Sequence, residues 1–222
     1  MSNTPGKRSF STAWTDASGK FWLFGGAFND GTSESGAFND LWKYDPSTNL
    51  WTWVKGDNTK TYYGRYGIQG IAAPANNPGA REGAVSWTDT SGNMWLFGGS
   101  GTGAVTTGTL NDLWKYNPLT NSWTWVKGDS TVNNYGVYGI LGTAAAANKP
   151  GARKSAVSWM DASGNLWLFG GTGYAAVGTS GTTYLVSVFK LYNTILLRGR
   201  SNLKRMNITH YVDSIERGII IV

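Results

Sequence analysis

"PGAREGAVSWTDTSGNMWLFGG", residues 78–99, is the middle one of three near-copies: "PGKRSFSTAWTDASGKFWLFGG" spans 5–26 and "PGARKSAVSWMDASGNLWLFGG" spans 150–171. The copies are offset by 73 and 72 residues. A sustained period of this kind marks a repeat architecture, in which each unit buries its apolar face against its neighbours. The chain divides into a repeat array over 1–185, with units at 5–77, 78–149 and 150–185 (the last incomplete), followed by an atypical tail over 186–222.

Within a unit the pieces read as four short strands. Ser11 to Thr15 leads through "DASG" into "KFWLF". An Asp, small residues and a Gly between two apolar runs make a tight hairpin, because Asp hydrogen-bonds its own following backbone and Gly accepts positive φ. Asp16, Asp89 and Asp161 therefore read as turn residues rather than metal ligands. The second strand ends in Gly25-Gly26, Gly98-Gly99 and Gly170-Gly171, which permit close backbone approach or dihedrals closed to other residues. A phosphate-cradling loop needs a different glycine spacing and a following helix. "NDLWKYDPSTNLWTWV" and "NDLWKYNPLTNSWTWV" then form a second hairpin, with Trp51 and Trp53, like Trp123 and Trp125, alternating across Thr and sharing a face.

An apolar strand closed by a double glycine, then a Tyr and a Trp separated by a short polar turn, resembles the kelch repeat. The matching positions are Gly25, Gly26, Tyr44 and Trp51, then Gly98, Gly99, Tyr116 and Trp123, then Gly170 and Gly171 alone. The resemblance covers residues 5–185 and implies an all-β partial β-propeller of about three kelch-type blades, like the central domain of galactose oxidase, with an irregular C-terminal tail. A kelch unit is usually ~50 residues. The excess lies in "GDNTKTYYGRYGIQGIAAPANNPGAR" and "GDSTVNNYGVYGILGTAAAANKPGAR", the connections to the next unit. Tyr63, Tyr66, Gly67 and Ile68 recur there as Tyr135, Tyr138, Gly139 and Ile140, a pattern that reads as anchoring of the loop. The rival reading makes these loops a recognition rim. Tyr62, Arg65 and Asn134 are its candidate ligand contacts.

The chain has no cysteine and one histidine, His210 in the tail. That excludes a cysteine-based metal site, a Ser-His-Asp arrangement in the array, and the copper chemistry that the galactose oxidase resemblance would otherwise imply. Asp40 and Asp112 recur once per unit, as structural carboxylates do, and Glu34 and Glu82 are unrepeated but have no pairing partner in the pattern. The chain thus reads as a non-enzyme with no catalytic residue, no metal and no cofactor. Its +6 charge is concentrated in residues 186–222, which hold six Lys/Arg against two Asp/Glu, so the array itself gives no sign of a nucleic-acid partner. No stretch approaches the roughly 20 apolar residues of a membrane helix, and "MSNTPGKRSF" has no signal-peptide core. The location would be extracellular if the chain is part of a larger secreted protein.

In "GTTYLVSVFKLYN", residues 181–193, the third copy stops between Leu185 and Val186, inside a motif rather than between units. The expectation is that the third unit lacks its two outer strands and that 186–222 is non-native coding, through an unspliced intron or a frameshift, the alternative being a C-terminal extension that caps the array. Open edges of a Trp-rich sheet template association, so self-association is expected. The functional expectation is a non-catalytic binding or scaffold module, or a fragment of one, presenting its loops to a protein or carbohydrate. The alternatives are a purely structural repeat of a larger surface or secreted protein, and a fragment of a propeller enzyme.

Overall fold

The computed structural model describes residues 3–28, 35–176, 183–185 and 187–192. Its secondary structure is all strand, in several antiparallel sheets, with no helix among the described residues. The first unit is a four-strand meander of Thr12–Thr15, Phe21–Phe24, Leu41–Asp45 and Leu50–Lys55. The second repeats it with Val85–Thr88, Met94–Thr102, Thr107–Asn117 and Ser122–Lys127.

Local chemistry closes the hairpins. Asp16 Oδ1 accepts the Ser18 and Lys20 backbone N–H groups, and Trp22 Nε1 donates to Oδ2 at 2.8 Å. Asp89 holds Ser91, Asn93 and Trp95 in the same way, and Asp161 holds Ser163, Asn165 and Trp167. Burial acts to raise the Asp161 pKa, but its hydrogen bonds from Asn165, Trp167 and Ser163 outweigh that and hold it at about 2. In the second hairpin Asn49 and Asn121 take the left-handed conformation, and their side chains accept the Tyr44 and Tyr116 hydroxyls.

Successive strand residues point to opposite faces, so "MWLF" serves two interfaces at once. Met94 and Leu96 pack with Trp14, Trp22, Phe24 and Leu41 of the first unit. Trp95 and Phe97 pack with Leu166 and Leu168 of the third. The middle sheet is buried on both faces, and indole N–H groups tie the layers together: Trp14 donates to the Trp95 carbonyl at 3.1 Å, and Trp87 to that of Trp159 at 2.9 Å.

The third unit corrects one expectation. Val157–Met160 and Leu166–Phe169 are joined by a third strand, Val188–Tyr192, from within the segment read as tail. Val188, Phe189 and Lys190 pair with Phe169, Leu168 and Trp167, the register in which Leu113, Trp114 and Lys115 pair with Phe97, Leu96 and Trp95. Apolar residues at the buried positions specify register whatever their identity, and Val-Phe-Lys supplies them as well as Leu-Trp-Lys. Residues 193–222, with His210, lie outside the described residues, as does Glu34.

An arginine clamps each unit. Arg81, wholly buried, donates through Nη1 and Nη2 to both oxygens of Asp112 at 2.6 and 2.8 Å, through Nε to Gly79 O and through Nη1 to Gly98 O. Trp114 Nε1 also donates to Asp112 at 2.7 Å. Arg8 repeats the set with Asp40, Gly6, Gly25 and Trp42. The double glycines seat the next unit's clamp. Gly25 and Gly98 have φ of 62° and 66°, and a Cβ on them would lie 2.6 and 2.5 Å from the carbonyl oxygens of Arg81 and Arg153.

Removing one partner of a buried ion pair leaves an uncompensated charge, whereas replacing both with apolar groups is far milder. Asp112→Ala is expected to lower stability in urea denaturation by about 3 to 5 kcal/mol, and Arg81→Met with Asp112→Leu to recover most of that loss. A loss below about 1 kcal/mol for the single change would show that the clamp is not structural.

Candidate functional site

The connections between units are the candidate site, and each lies on the unit that follows it. The loop over 56–80 leaves the first unit and adds Ala72–Ala73 to the outer edge of Ser122–Lys127, pairing Ala73 with Trp123 and Ala72 with Thr124. This covers a strand edge that would otherwise be open.

Four contacts fix the loop. Tyr66 is buried between Trp114 and Trp125, with ring centroids 4.9 and 5.1 Å away, and its hydroxyl donates to Asp112 at 2.7 Å. Burial, reinforced by the Asp112 charge, pushes its pKa well above the ordinary tyrosine range. Asn76 Nδ2 donates to the Trp123 and Ile71 carbonyls. Gly67 has a positive φ of 62°, and a Cβ there would lie 2.4 Å from Asn76 Oδ1, so both the conformation and the close approach call for glycine. Arg65 and Asn77 exchange two backbone hydrogen bonds at the neck. Tyr66 is therefore an anchor, whereas Tyr63, 49% exposed, is not.

The second loop, over 128–152, repeats the plan on the third unit. Tyr138 packs on Phe189 at 5.2 Å, Val137 and Lys149 exchange backbone bonds, and Gly139 approaches Asn148 as Gly67 approaches Asn76. An ion pair braces each neck: Arg65 with Asp57 at 2.9 Å, Lys149 with Asp129 at 2.5 Å.

Of the three candidate contacts, two meet. Tyr62 is 43% exposed, and the Arg65 guanidinium lies 6.0 Å from its ring centroid. Asn134 is the counterpart of Tyr62 one unit on: their carbonyls accept from Ala152 and Ala80 respectively. Its side-chain amide is turned back onto Thr131, so it does not join the Tyr62–Arg65 pair. The loop tips themselves are apolar, with Ile68 and Ile140 exposed at 74% and 73%, Ile71 and Leu141 at 56% and 75%. Their signal in the sequence is an Ile repeated after Tyr-Gly with no amphipathic partner. The clamp arginines Arg8, Arg81 and Arg153 were also not singled out from the sequence, although "PG-x-R" recurs in every unit. Among the described residues no three His, Asp or Glu gather as a metal site, and Glu82 faces Lys154 at 3.8 Å.

Hydrogen bonds to a charged acceptor contribute about 1.5–3 kcal/mol. Tyr66→Phe keeps the ring and loses that bond, so it is expected to cost about 1 to 2 kcal/mol and to speed amide exchange at Gly70 and Asn77. Tyr63→Phe should change neither. Equal effects of the two substitutions would contradict the anchoring role of Tyr66.

No protein-family model matches this chain, and no curated protein does. Among solved structures, one described as "Structure of YjhT" is similar at 20% sequence identity and a TM-score of 0.47, over 77% of this chain and 36% of that one. The chain thus spans about a third of that structure's length.

Proposed function

We propose that the chain is a non-catalytic binding or scaffold module built from kelch-type blades of a β-propeller, in which the loops between blades present a recognition surface. What carries the reading is the division within each loop: Tyr66, Gly67 and Asn76 are committed to the next sheet, while Tyr62, Arg65, Ile68 and Ile71 stand exposed on the same rigid arm. Exposed side chains held on an ordered scaffold suit recognition, because little conformational entropy is lost on binding. The blade assignment rests on the four-strand meanders, the double glycines, and the Tyr44–Trp51 and Tyr116–Trp123 contacts at 5.0 and 5.1 Å. The apolar tips Ile68 and Ile140 favour a protein ligand, and the Tyr62–Arg65 pair suits either a peptide or a sugar ring. Probing peptide and glycan arrays with the full chain is expected to give binding to one class. Tyr62→Ala and Ile68→Asp should each weaken it at least about tenfold without lowering the melting temperature, and Arg65→Ala should weaken it as much while also releasing the Asp57 ion pair at the neck. Binding unaffected by all three would refute the loop surface.

One observation favours the structural alternative, a repeat segment of a larger protein. Among the described residues no arm pairs with the outer strand of the first unit: Leu50 and Trp53 are 63% and 42% exposed and Trp51 is half-buried, whereas Ser122 and Trp123, the counterparts of Leu50 and Trp51, are buried in the second unit. At its edge Asn3 Nδ2 donates to the Trp51 carbonyl as Asn76 Nδ2 does to that of Trp123. The chain should therefore elute above its 24.0 kDa monomer mass in size-exclusion chromatography, and Trp53→Lys should shift it toward the monomer. A monodisperse monomer of the unaltered chain would count against this reading.

A further inference from the structure

Among the described residues the third clamp has no carboxylate. Arg153 is 1% exposed and keeps two contacts of its counterparts, Nε to Gly151 O at 3.1 Å and Nη1 to Gly170 O at 2.9 Å. The position of Asp40 and Asp112 is occupied by Ser187, whose hydroxyl makes a 3.4 Å contact with Nη1. Arg153 Nη2, buried, has no hydrogen-bond partner among the described residues. Below it lies Phe189, its ring centroid 5.0 Å from the guanidinium, where the other two units have Trp42 and Trp114.

Burial acts to lower the pKa of both arginines. At Arg81 the Asp112 carboxylate more than offsets this, and the group is raised; at Arg153 burial prevails, countered only in part by Tyr138. Two substitutions relative to the second unit also put smaller side chains against the guanidinium. Asp to Ser removes a carboxylate and leaves one hydroxyl, and Trp to Phe removes the five-membered half of an indole. Among the described residues the groups facing the guanidinium carry no negative charge: the Ser187 hydroxyl accepts from Arg153 Nη1, the hydroxyl of Tyr138, the counterpart of Tyr66, interacts with Arg153, and each still has a proton to donate. In the second unit the corresponding arginine and tyrosine both donate to the Asp112 carboxylate.

We propose that Arg153 anchors a binding site for a small carboxylate anion, which occupies the place that Asp40 and Asp112 hold in the other two units. The anion completes a bidentate guanidinium–carboxylate pair through Nη2 and takes further hydrogen bonds from Ser187 and Tyr138. Formate has the three non-hydrogen atoms of the missing carboxylate. Gly170, the residue whose carbonyl holds Nη1, also lines an open depression of about 350 Å³ with Gly171, Tyr184 and Leu185. Charge alone would admit chloride, but the planar two-oxygen geometry of a carboxylate fits the guanidinium fork better.

The test titrates sodium formate, and separately sodium chloride, into the full chain at constant ionic strength balanced by a bulky sulfonate. Thermal unfolding and chloride NMR line width are the two readouts. Formate should raise the unfolding midpoint saturably by about 2 to 4 °C, and should narrow a chloride line that the protein broadens. Ser187→Asp, which restores the residue of the other units, should raise the midpoint without formate and abolish both responses. Arg153→Gln should also abolish the line broadening. A formate response equal in the unaltered chain and in Ser187→Asp, no response in the unaltered chain, or a lower midpoint for Ser187→Asp would each overturn the proposal.

Discussion

The buried guanidinium–carboxylate pair is the contact on which the rest of the array depends. Arg81 and Asp112 are fully buried, lie 31 residues apart in the chain, and together satisfy the first of the double glycines, the Trp114 indole and the Tyr66 hydroxyl. Each of those groups belongs to a different structural job: Gly98 ends the second strand, Trp114 sits in the third, and Tyr66 comes from the preceding unit's loop. Taking two charges out of water is costly unless every lone pair and proton finds a partner. Here four donors converge on one carboxylate, so the pair stands only when strand, turn and neighbouring loop are all in place. That requirement makes a unit cooperative with the one before it.

The loop arm extends this coupling. An isolated four-strand sheet would leave an open edge and one apolar face in water, whereas the arm from unit one adds a strand to unit two and buries Tyr66 against its tryptophans. The apolar clusters on both faces of Met94–Thr102 do the same between sheets. Nearest-neighbour coupling of this sort is the general behaviour of repeat arrays. It predicts graded stability: greatest in the middle unit, with a complete clamp, an arm and two buried faces, and least in the third, where the clamp has no charge partner among the described residues.

Period, strand alternation and turn chemistry were legible in the sequence because each is local: Asp16 closes its hairpin within four residues, and Gly25 marks its strand end by its own conformational freedom. The clamp was not, because its partners are far apart in the chain and look ordinary separately; "PG-x-R" and "NDLW" had both recurred, but nothing in one dimension joins them. Of the candidate site, the neighbours Tyr62 and Arg65 share one exposed patch, whereas Asn134 belongs to the next loop. The strand Val188–Tyr192 was missed because identity was sought where only apolar alternation is needed. Ser187 in the Asp position was visible in the alignment of units, but its meaning appears only once Arg153 is seen beside it.

Native-state hydrogen exchange on the three equivalent second strands distinguishes clamp-coupled units from independent ones. Exchange should be slowest in the Met94–Phe97 part of its strand, intermediate in Phe21–Phe24 and fastest in Leu166–Phe169, following clamp completeness and burial rather than the nearly identical local sequences "FWLF", "MWLF" and "LWLF". Equal protection of the three strands, or slowest exchange in the third, would contradict it.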